Sequence, residues 1–413
     1  MSTHTVYKIG EPVHALTGVE MPPIIAIGGG VTLAAVLHLL HRAKIAAYAV
    51  CPEGDFAGYS RCYRPLPGCF PCLAPRDLPH LLTNLSFESA VLLPCSDDWL
   101  SAVADLPEDL ARRFPSSLAS AAVLEALVNK WHFVQILQRE RLPHPTTRLI
   151  TSTKQTDSMP NEDFQGRLLK PLFSEHFSRK HGEKGFLVDS RAEVLHSMKR
   201  LSFPILLQEF IPGPATAHYF LDGFIDRQGR TCALFARRRL RMNPPKLGNS
   251  TFILSIPLEE VADAVATLQS LLKTVSYRGI FSAEFKYDER DGFFKMLDFN
   301  ARPWWYVEAP ACAGMDVCSM AYQDALGLTV EPVTSYKAGQ YFGILPVDFR
   351  AWHKEREQGG PGFWYWLRSW QRVKSTPFHW DDPLPALAFM SQQLSDYVRD
   401  HPKPARSTIR DKR

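Results

Sequence analysis

An α/β layer followed by an α+β layer and a C-terminal extension is the architecture this sequence predicts, and three observations carry the prediction. A strand-like run, a glycine turn and an apolar helix open the patterned part of the chain at Pro22. Between residues 200 and 305 the text changes to β-rich runs with a single helical interruption. Hydrophobic residues make up 45% and charged ones 22% of 413 residues, the profile of a folded globular chain, and the length suggests about two to three domains.

The elements follow in order. Residues 1–20 show no periodicity and are expected to form an arm. "IIAIGGGVTLAAVLHLLHRAKIAAYAV" then reads as strand, glycine turn, helix and strand, the unit of a parallel sheet. Gly28, Gly29 and Gly30 could cradle a phosphate at a helix N-terminus or make a plain tight turn. The spacing is not G-x-G-x-x-G, and Glu53 and Asp55 fall in a Pro/Gly turn rather than at a ribose position, which favours the plain turn. "ESAVLLPCSDDWLSAVADL" adds a strand and a helix with Ser96 or Asp97 as N-cap, and this pattern runs to about residue 120.

"SAAVLEALVNKWHFVQILQRERLPHPTTRLI" is predicted as one amphipathic helix, with Leu124, Leu127, Trp131, Val134 and Leu137 near helical spacing. Pro143 and Pro145 stop it before a strand. In "GRLLKPLFSEHFSRKHGEKGFLV", Lys170 stands at a strand end and Lys184 follows a loop bracketed by Gly182 and Gly185, whose amides suit phosphate oxygens. "ILLQEFIPG" ends a strand at Gln208, Glu209, Phe210 and Ile211, with backbone groups and an apolar wall suited to an adenine edge. "LEEVADAVATLQSLLKTV" is the one helix expected inside the β-rich region.

The most informative run is "GIFSAEFKYDERDGFFKMLDFNAR", two strands around "DERDG". Asp298, Asn300 and Arg302 alternate, so on a strand they share one face. A loop of Arg290, Asp291 and Gly292 would set Glu284 directly across from Asp298. Carboxylates with an amide are oxygen ligands of the kind that hold Mg²⁺ beside a nucleotide, and Arg302 would add a planar fork for a phosphate. The competing reading is the solvated face of an ordinary hairpin.

The net charge of +4, from 47 basic and 43 acidic residues, creates no global field that would demand nucleic acid or membrane. Eight cysteines include only Cys69 and Cys72 at close spacing, one pair short of a structural zinc site, so free thiols in a reducing cytoplasm are the simpler reading. "PPIIAIGGGVTLAAVLHLL" is interrupted by glycines and too short to span a membrane, and it lacks the basic flank of a signal peptide. A cytoplasmic protein is expected.

Taken in order, these residues resemble the ATP-grasp superfamily, in its carboxylate–amine ligase branch. Lys130 stands where that family has a lysine before its central domain, and Lys170 in "LLKP" matches its first phosphate lysine. Lys184 and Gly185 in "GEKGF" match the glycine-rich loop; "QEFIPG" resembles the adenine-reading strand, with Glu209 the acidic residue and Ile211 a backbone contact. Glu284, Asp298 and Asn300 match the metal ligands, and "NARPW" resembles the closing asparagine-x-arginine motif with Arg302.

The resemblance spans roughly residues 24–325 and implies a Rossmann-like pre-ATP-grasp domain over 21–120, a lid subdomain over 121–205 and a large subdomain over 206–330, with an extension and basic tail over 331–413. It implies ATP, Mg²⁺ as a pair of ions with Mn²⁺ as a substitute, and small-molecule carboxylate and amine substrates without nucleic acid or membrane; a homodimer is compatible with it. Two departures stand out. Pro214-Ala215-Thr216 replaces the region where many members carry a ribose-binding acid, and Asp298 stands where glutamate is common.

"ARRRLRMNPPKLGNST" supplies Arg237, Arg239 and Arg241 to one face of a strand, fitting an anionic substrate or the triphosphate, or a solvated sheet edge. Arg239, Arg241 and Arg302 are the candidate catalytic residues. Trp304, Trp305 and Tyr306 fit either an acceptor wall or core, and Trp364, Trp366 and Trp370 fit packing of the extension. An ATP-dependent ligase forming an amide through an acyl phosphate leads the readings. A biotin-carboxylase-type enzyme and a non-catalytic nucleotide-binding module are the alternatives.

Overall fold

The computed structural model describes residues 21–68, 74–173, 184–357, 359–375 and 379–400. The expected arm, Cys69 and Cys72, Gly182 and the basic tail from 401 lie outside the described residues.

Three strands, β1 (Ile24–Ile27), β2 (Ala47–Val50) and β3 (Val91–Pro94), form a parallel sheet in the order β2-β1-β3. The β1 run is continuously apolar because both its faces are covered. Ile24 and Ala26 enter one core and Ile25 and Ile27 another, as period-two geometry requires. The Gly30–Arg42 helix connects β1 to β2.

The single helix predicted after residue 120 is two helices, Ala121–Val128 and Lys130–Arg139. Asn129 leaves helical geometry (ψ 108°), and its side chain accepts hydrogen bonds from the amides of Trp131 (3.1 Å) and His132 (3.4 Å). An asparagine that bonds its own following amides competes with the helix ladder and starts a new helix instead. Lys130 is therefore a first-turn residue with a fixed direction.

Next comes a four-stranded antiparallel sheet from β4 (Thr147–Ile150), β5 (Arg167–Pro171), β6 (Phe186–Val188) and β7 (Ile205–Glu209), in the order β4-β7-β5-β6. It has a small core of its own, built on Ile150, Phe164, Leu169, Val194, Ile205 and Leu207.

The largest sheet contains β8 (His218–Ile225), β9 (Thr231–Asn243), β10 (Asn249–Ile256), β11 (Gly279–Asp288), β12 (Phe293–Asn300), β13 (Tyr341–Gly343) and β14 (Val373–Ser375), in the order β12-β11-β8-β9-β10-β13-β14. The expected helix lies over Ala262–Thr274 and packs Leu268, Leu271 and Leu272 into the core on one face of this sheet. On the other face, residues of the Gly30–Arg42 helix share a core with Phe224, Phe235 and Ile253.

The C-terminal extension is part of this sheet: β13 pairs antiparallel with β10, and β14 parallel with β13. Its tryptophans divide by environment, with Trp366 buried and Trp364 73% exposed. No described helix is long and apolar enough to cross a membrane.

Candidate active site

The β11–β12 hairpin does bring Glu284 opposite Asp298 and Ser282 opposite Asn300, although the loop is not the three residues expected. Asp288 pairs with Phe293, so Glu289–Gly292 form a four-residue turn. Asp288 closes it by accepting from the Arg290 amide (3.1 Å) and Nε (2.8 Å). That turn alone would shift the register by one. A bulge that leaves Leu297 unpaired between Met296 and Asp298 restores it and keeps both carboxylates on one face.

These side chains border a cleft of about 1390 Å³ between the four-stranded and seven-stranded sheets, closed at one end by the parallel sheet. The cleft is lined by Lys130, Lys170, Lys184, Gln208, Glu209, Phe210, Ile211, Arg239, Glu284, Asp298, Asn300 and Arg302. Thus all but two of the sequence-predicted site residues share one cavity, although they come from segments up to 172 positions apart, Lys130 to Arg302.

Its charges are mutually arranged. Lys130 Nζ donates to Asp298 Oδ1 at 2.6 Å, while Lys170 Nζ donates to Gln208 Oε1 at 2.8 Å. Burial pushes Lys170 down to about 8, with Lys130 adding to the effect and Asp298 opposing it. Burial also lowers Lys184. For Asp298, burial acts to raise the carboxyl, but Lys130 and Lys170 outweigh it and hold it below its usual value.

Glu284 is held on two sides by residues of neighbouring strands. Arg239 Nη2 reaches its Oε1 at 3.0 Å, and His218 Nδ1 reaches the same oxygen at 2.9 Å. Burial works to raise the Glu284 carboxyl, yet Arg239, His218 and Lys184 together keep it well below the ordinary carboxylate range. Burial and then Arg239 push His218 down to about 4, so at neutral pH it is an uncharged ring. An anionic carboxylate only accepts, so the Nδ1 proton of that ring points at Glu284. Asn300 spends its amide nitrogen on the Ser282 carbonyl (3.4 Å), which spares the amide oxygen as an acceptor.

Two predicted residues sit elsewhere. Arg239 pairs with Ile253 but Arg241 pairs with Phe252, so β9 gains a residue between them and the two arginines leave on opposite faces. Arg241 is thus not a cleft residue. Its guanidinium forks onto Asp348 at 2.8 and 2.7 Å and lies over the Phe252 ring. Gly185, just ahead of β6, packs against β5 and does not line the main cleft. A Cβ there would meet the Leu169 carbonyl oxygen at 2.3 Å, so close strand approach requires glycine.

Arg239 keeps its place in the cleft, but its fork is engaged by Glu284 and by Ser250 Oγ (2.8 Å). Glu209 lines the cleft while its carboxylate accepts from the Thr146 amide (3.1 Å) and Arg290 Nη2 (2.5 Å), tying β7 to the hairpin turn. Arg302 lies against Asp97 at 2.7 Å.

Sequence reasoning missed His218 and Lys286, and it favoured a plain tight turn for the glycines that border the cleft as its end wall. His218 opens β8 two strands from Asp298, and only its pairing with β11 reveals it. Lys286 lies 4.9 Å from the Phe210 ring centre and is lowered to about 8 by burial and then Arg239. The end wall is the glycine turn: the Gly30 amide donates to Asp55 Oδ2 at 2.8 Å, and Gly30 takes φ +65°. Trp304, Trp305 and Tyr306 all border the cleft, and Trp304 and Tyr306 are also buried in the core.

Such an arrangement sets lysines beside carboxylate and amide oxygens in one cleft, groups whose chemistry suits a polyanion and a divalent cation respectively. Comparison with known proteins agrees at the level of fold. No family model matches the chain. A D-aspartate ligase of Enterococcus faecium (strain Aus0004) is 21% identical over 223 residues, covering 51% of this chain and 53% of that protein. The chain thus spans about half the length of this curated relative.

An N5-carboxyaminoimidazole ribonucleotide synthetase solved as its ADP complex superposes with a TM-score of 0.59 at 15% identity, covering 78% of this chain and 81% of that one. An L-amino acid ligase from Bacillus licheniformis gives 0.57 at 16% identity, with 76% and 79% covered. The resemblance read from the sequence holds: the chain is similar to D-aspartate ligase, and its fold is that of the ATP-grasp ligases.

Proposed function

We propose that this chain is an ATP-dependent ligase that joins a carboxylate to an amine, releasing ADP and phosphate. One observation carries the reading: Glu284, Asp298 and Asn300 line a single cleft together with Lys130, Lys170 and Lys184. Sequence similarity to a D-aspartate ligase and the fold shared with an L-amino acid ligase support it. In this reading residues 21–120 are the pre-ATP-grasp domain, the four-stranded sheet is the lid, and the seven-stranded sheet is the floor.

A carboxylate is a poor acyl donor because oxide is a bad leaving group. Attack of a substrate carboxylate oxygen on the γ-phosphorus breaks the bond to the β-phosphate oxygen and leaves an acyl phosphate and ADP. The amine then attacks the acyl carbon, loses a proton and expels phosphate. The protein contributes position and charge rather than a nucleophile. Lys130, Lys170 and Lys184 hold phosphate oxygens; Gln208 to Ile211 and Lys286 border the adenine. The donor set of Glu284, Asp298 and Asn300 fits hard cations of the Mg²⁺ type, which supply neutralisation of the β- and γ-phosphates when bound. Arg239 and His218 hold Glu284 ionised and aimed, and Arg302 stands at the mouth shared with the parallel sheet, placed to meet the transferring group.

The test is ADP release screened over paired amino acids, small peptides and carboxylates with Mg·ATP. Release requiring both an acid and an amine is the expected result. With the active pair, Glu284→Gln or Asn300→Ala should lower turnover by about 10²–10³-fold, the scale for removing a transition-state charge stabiliser. Circular dichroism should show both variants folded. Near-normal rates in both would refute the metal-floor assignment.

A further inference from the structure

The C-terminal extension carries an aromatic face that the fold leaves bare. In the Phe363–Ser369 helix, Phe363, Trp364, Tyr365 and Leu367 are all exposed, Trp364 and Tyr365 by 73% and 67%, and Trp366 is buried. At about 100° per residue, the exposed side chains from Phe363 to Arg368 cover about 200° of the helix, and Trp366 points the other way. Phe363 lies 5.5 Å from Trp364 and 5.8 Å from Trp366, ring centre to ring centre, and Phe349 of the Leu345–Glu357 helix lies 5.6 Å from Trp366. Phe349 is itself exposed, so the face is continuous across two helices. None of these residues lines the cleft.

Its charge has one sign. No acidic residue occurs between Glu357 and Asp381, while Arg368, Arg372 and Lys374 fall in that stretch and are exposed. Arg356 joins them: its Nη1 lies 3.6 Å from the position a Cβ would take on Gly362, directly ahead of the aromatic helix. Among the described residues none of these four cations has a salt-bridge partner, and Glu357 pairs with His353 at 3.5 Å instead. The chain's net charge of +4 supplies no global attraction, so an anionic partner would need a local patch, and this face is one.

We propose that this face rests on the surface of an anionic lipid bilayer, with the aromatic rings entering the headgroup region and the cations meeting lipid phosphates. Trp and Tyr favour that depth because an apolar body with a polar tip suits a boundary, and arginine and lysine beside them add attraction to acidic lipids. A second copy of the chain fits less well. At roughly 200 Å² per aromatic side chain, the exposed parts of Phe349, Phe363, Trp364 and Tyr365 come to roughly 450 Å², short of the ~800 Å² per partner that a standard interface covers. Two-fold symmetry would also bring Arg368 and Arg372 near their own counterparts. Nucleic acid wants a groove that tracks its backbone, and a helix bare over this much of its girth stands out from the surface instead. A bilayer needs no complementary shape.

The full chain is co-sedimented with vesicles of phosphatidylcholine alone and of phosphatidylcholine with about 30% phosphatidylglycerol. Binding to the anionic vesicles is expected at least about tenfold above the neutral ones, and weakened at about 1 M NaCl. Trp364→Ser with Tyr365→Ser removes the apolar contact, and Arg368→Glu with Arg372→Glu reverses the charge. Each double variant should lose at least about tenfold in vesicle affinity while keeping its far-ultraviolet circular dichroism. If one variant fails to fold, the other decides. No binding to anionic vesicles by the unaltered chain, equal binding to both vesicle types, or unchanged binding in the folded variants overturns the proposal. A face used for a second copy or for nucleic acid would instead show a dimer by light scattering, or capture of a single-stranded oligonucleotide, abolished by the same variants, and either result also overturns it.

Discussion

Lys170 is the residue whose chemistry is most exposed to test. Its amine lies beside Lys130 in a desolvated cleft, and burial with that neighbour brings it to about 8. If the proposed triphosphate binds there, it should restore the charged form, and binding should take up protons wherever the free lysine is partly neutral. At pH 8 ADP or ATP binding should take up a fraction of a proton, and at pH 6.5 this group should contribute none. Affinity should fall as pH rises above 8, approaching about tenfold per unit if this lysine acts alone. Calorimetry in buffers of different ionisation enthalpy reads the uptake directly; the same proton count at both pH values, or uptake unchanged in Lys170→Met, would remove Lys170 from the phosphate site. The lysine was legible in the sequence because "LLKP" ends a strand, but its depressed basicity was not. That comes from burial and from Lys130, against the opposing pull of Asp298, and only the tertiary fold brings these together.

At the scale of elements, β9 shows how one inserted residue divides two functions. Alternation in "ARRRLR" set three arginines on one face, and the register shift between Arg239 and Arg241 sent the last to the opposite side. There Asp348, fully buried on the Leu345–Glu357 helix, accepts from Arg241, Thr251 Oγ1 (2.8 Å), Trp366 Nε1 (2.9 Å) and Trp370 Nε1 (2.9 Å). One carboxylate thus fastens the C-terminal extension to the sheet whose other face bears Arg239. Asp348→Ala strands the Arg241 charge and two indole donors at once, and removing one partner of a buried pair costs about 3–5 kcal/mol. Urea unfolding should show that loss with an altered tryptophan emission, and Asp348→Asn should lose less because it retains an acceptor. A change below about 1 kcal/mol in Asp348→Ala would mean that the cluster relaxes into solvent. Bulges leave no compositional mark, which is why the hairpin's Glu284–Asp298 pairing was readable while its Leu297 bulge and the β9 shift were not. The broken helix was different: Asn129 ahead of an apolar-periodic run is a recognisable cap, and the signal lay in the sequence.

For the whole molecule, the question is how a cleft between two sheets handles a ligand that must be covered and then released. Among the described residues, the four-stranded sheet has a small core of nine buried residues, separate from the larger cores that bind the parallel sheet and the helices to the seven-stranded sheet. Among those residues, Glu209 accepts from Arg290 across the cleft, near the hairpin turn. An element with a small separate core and few cross-ties opens at lower free energy than the rest. The order of motifs along the chain revealed that such a cleft should exist, because Lys130, Lys170, Glu209 and Glu284 occur in the sequence order that the resemblance implies. What no order of motifs reveals is which sheet moves. Nucleotide that contacts Lys170 and Lys184 on one side and Asp298 on the other should stabilise the small sheet most, because that sheet gains a second surface to rest on. Hydrogen-exchange mass spectrometry with and without Mg·ADP should therefore show slowing concentrated in peptides covering residues 167–171 and 186–209. The β1–β2 peptides, already held by two cores, should change little. Equal slowing in both regions would mean a rigid cleft, and protection confined to the parallel sheet would place the nucleotide at the Gly28–Gly30 turn instead of between the two sheets.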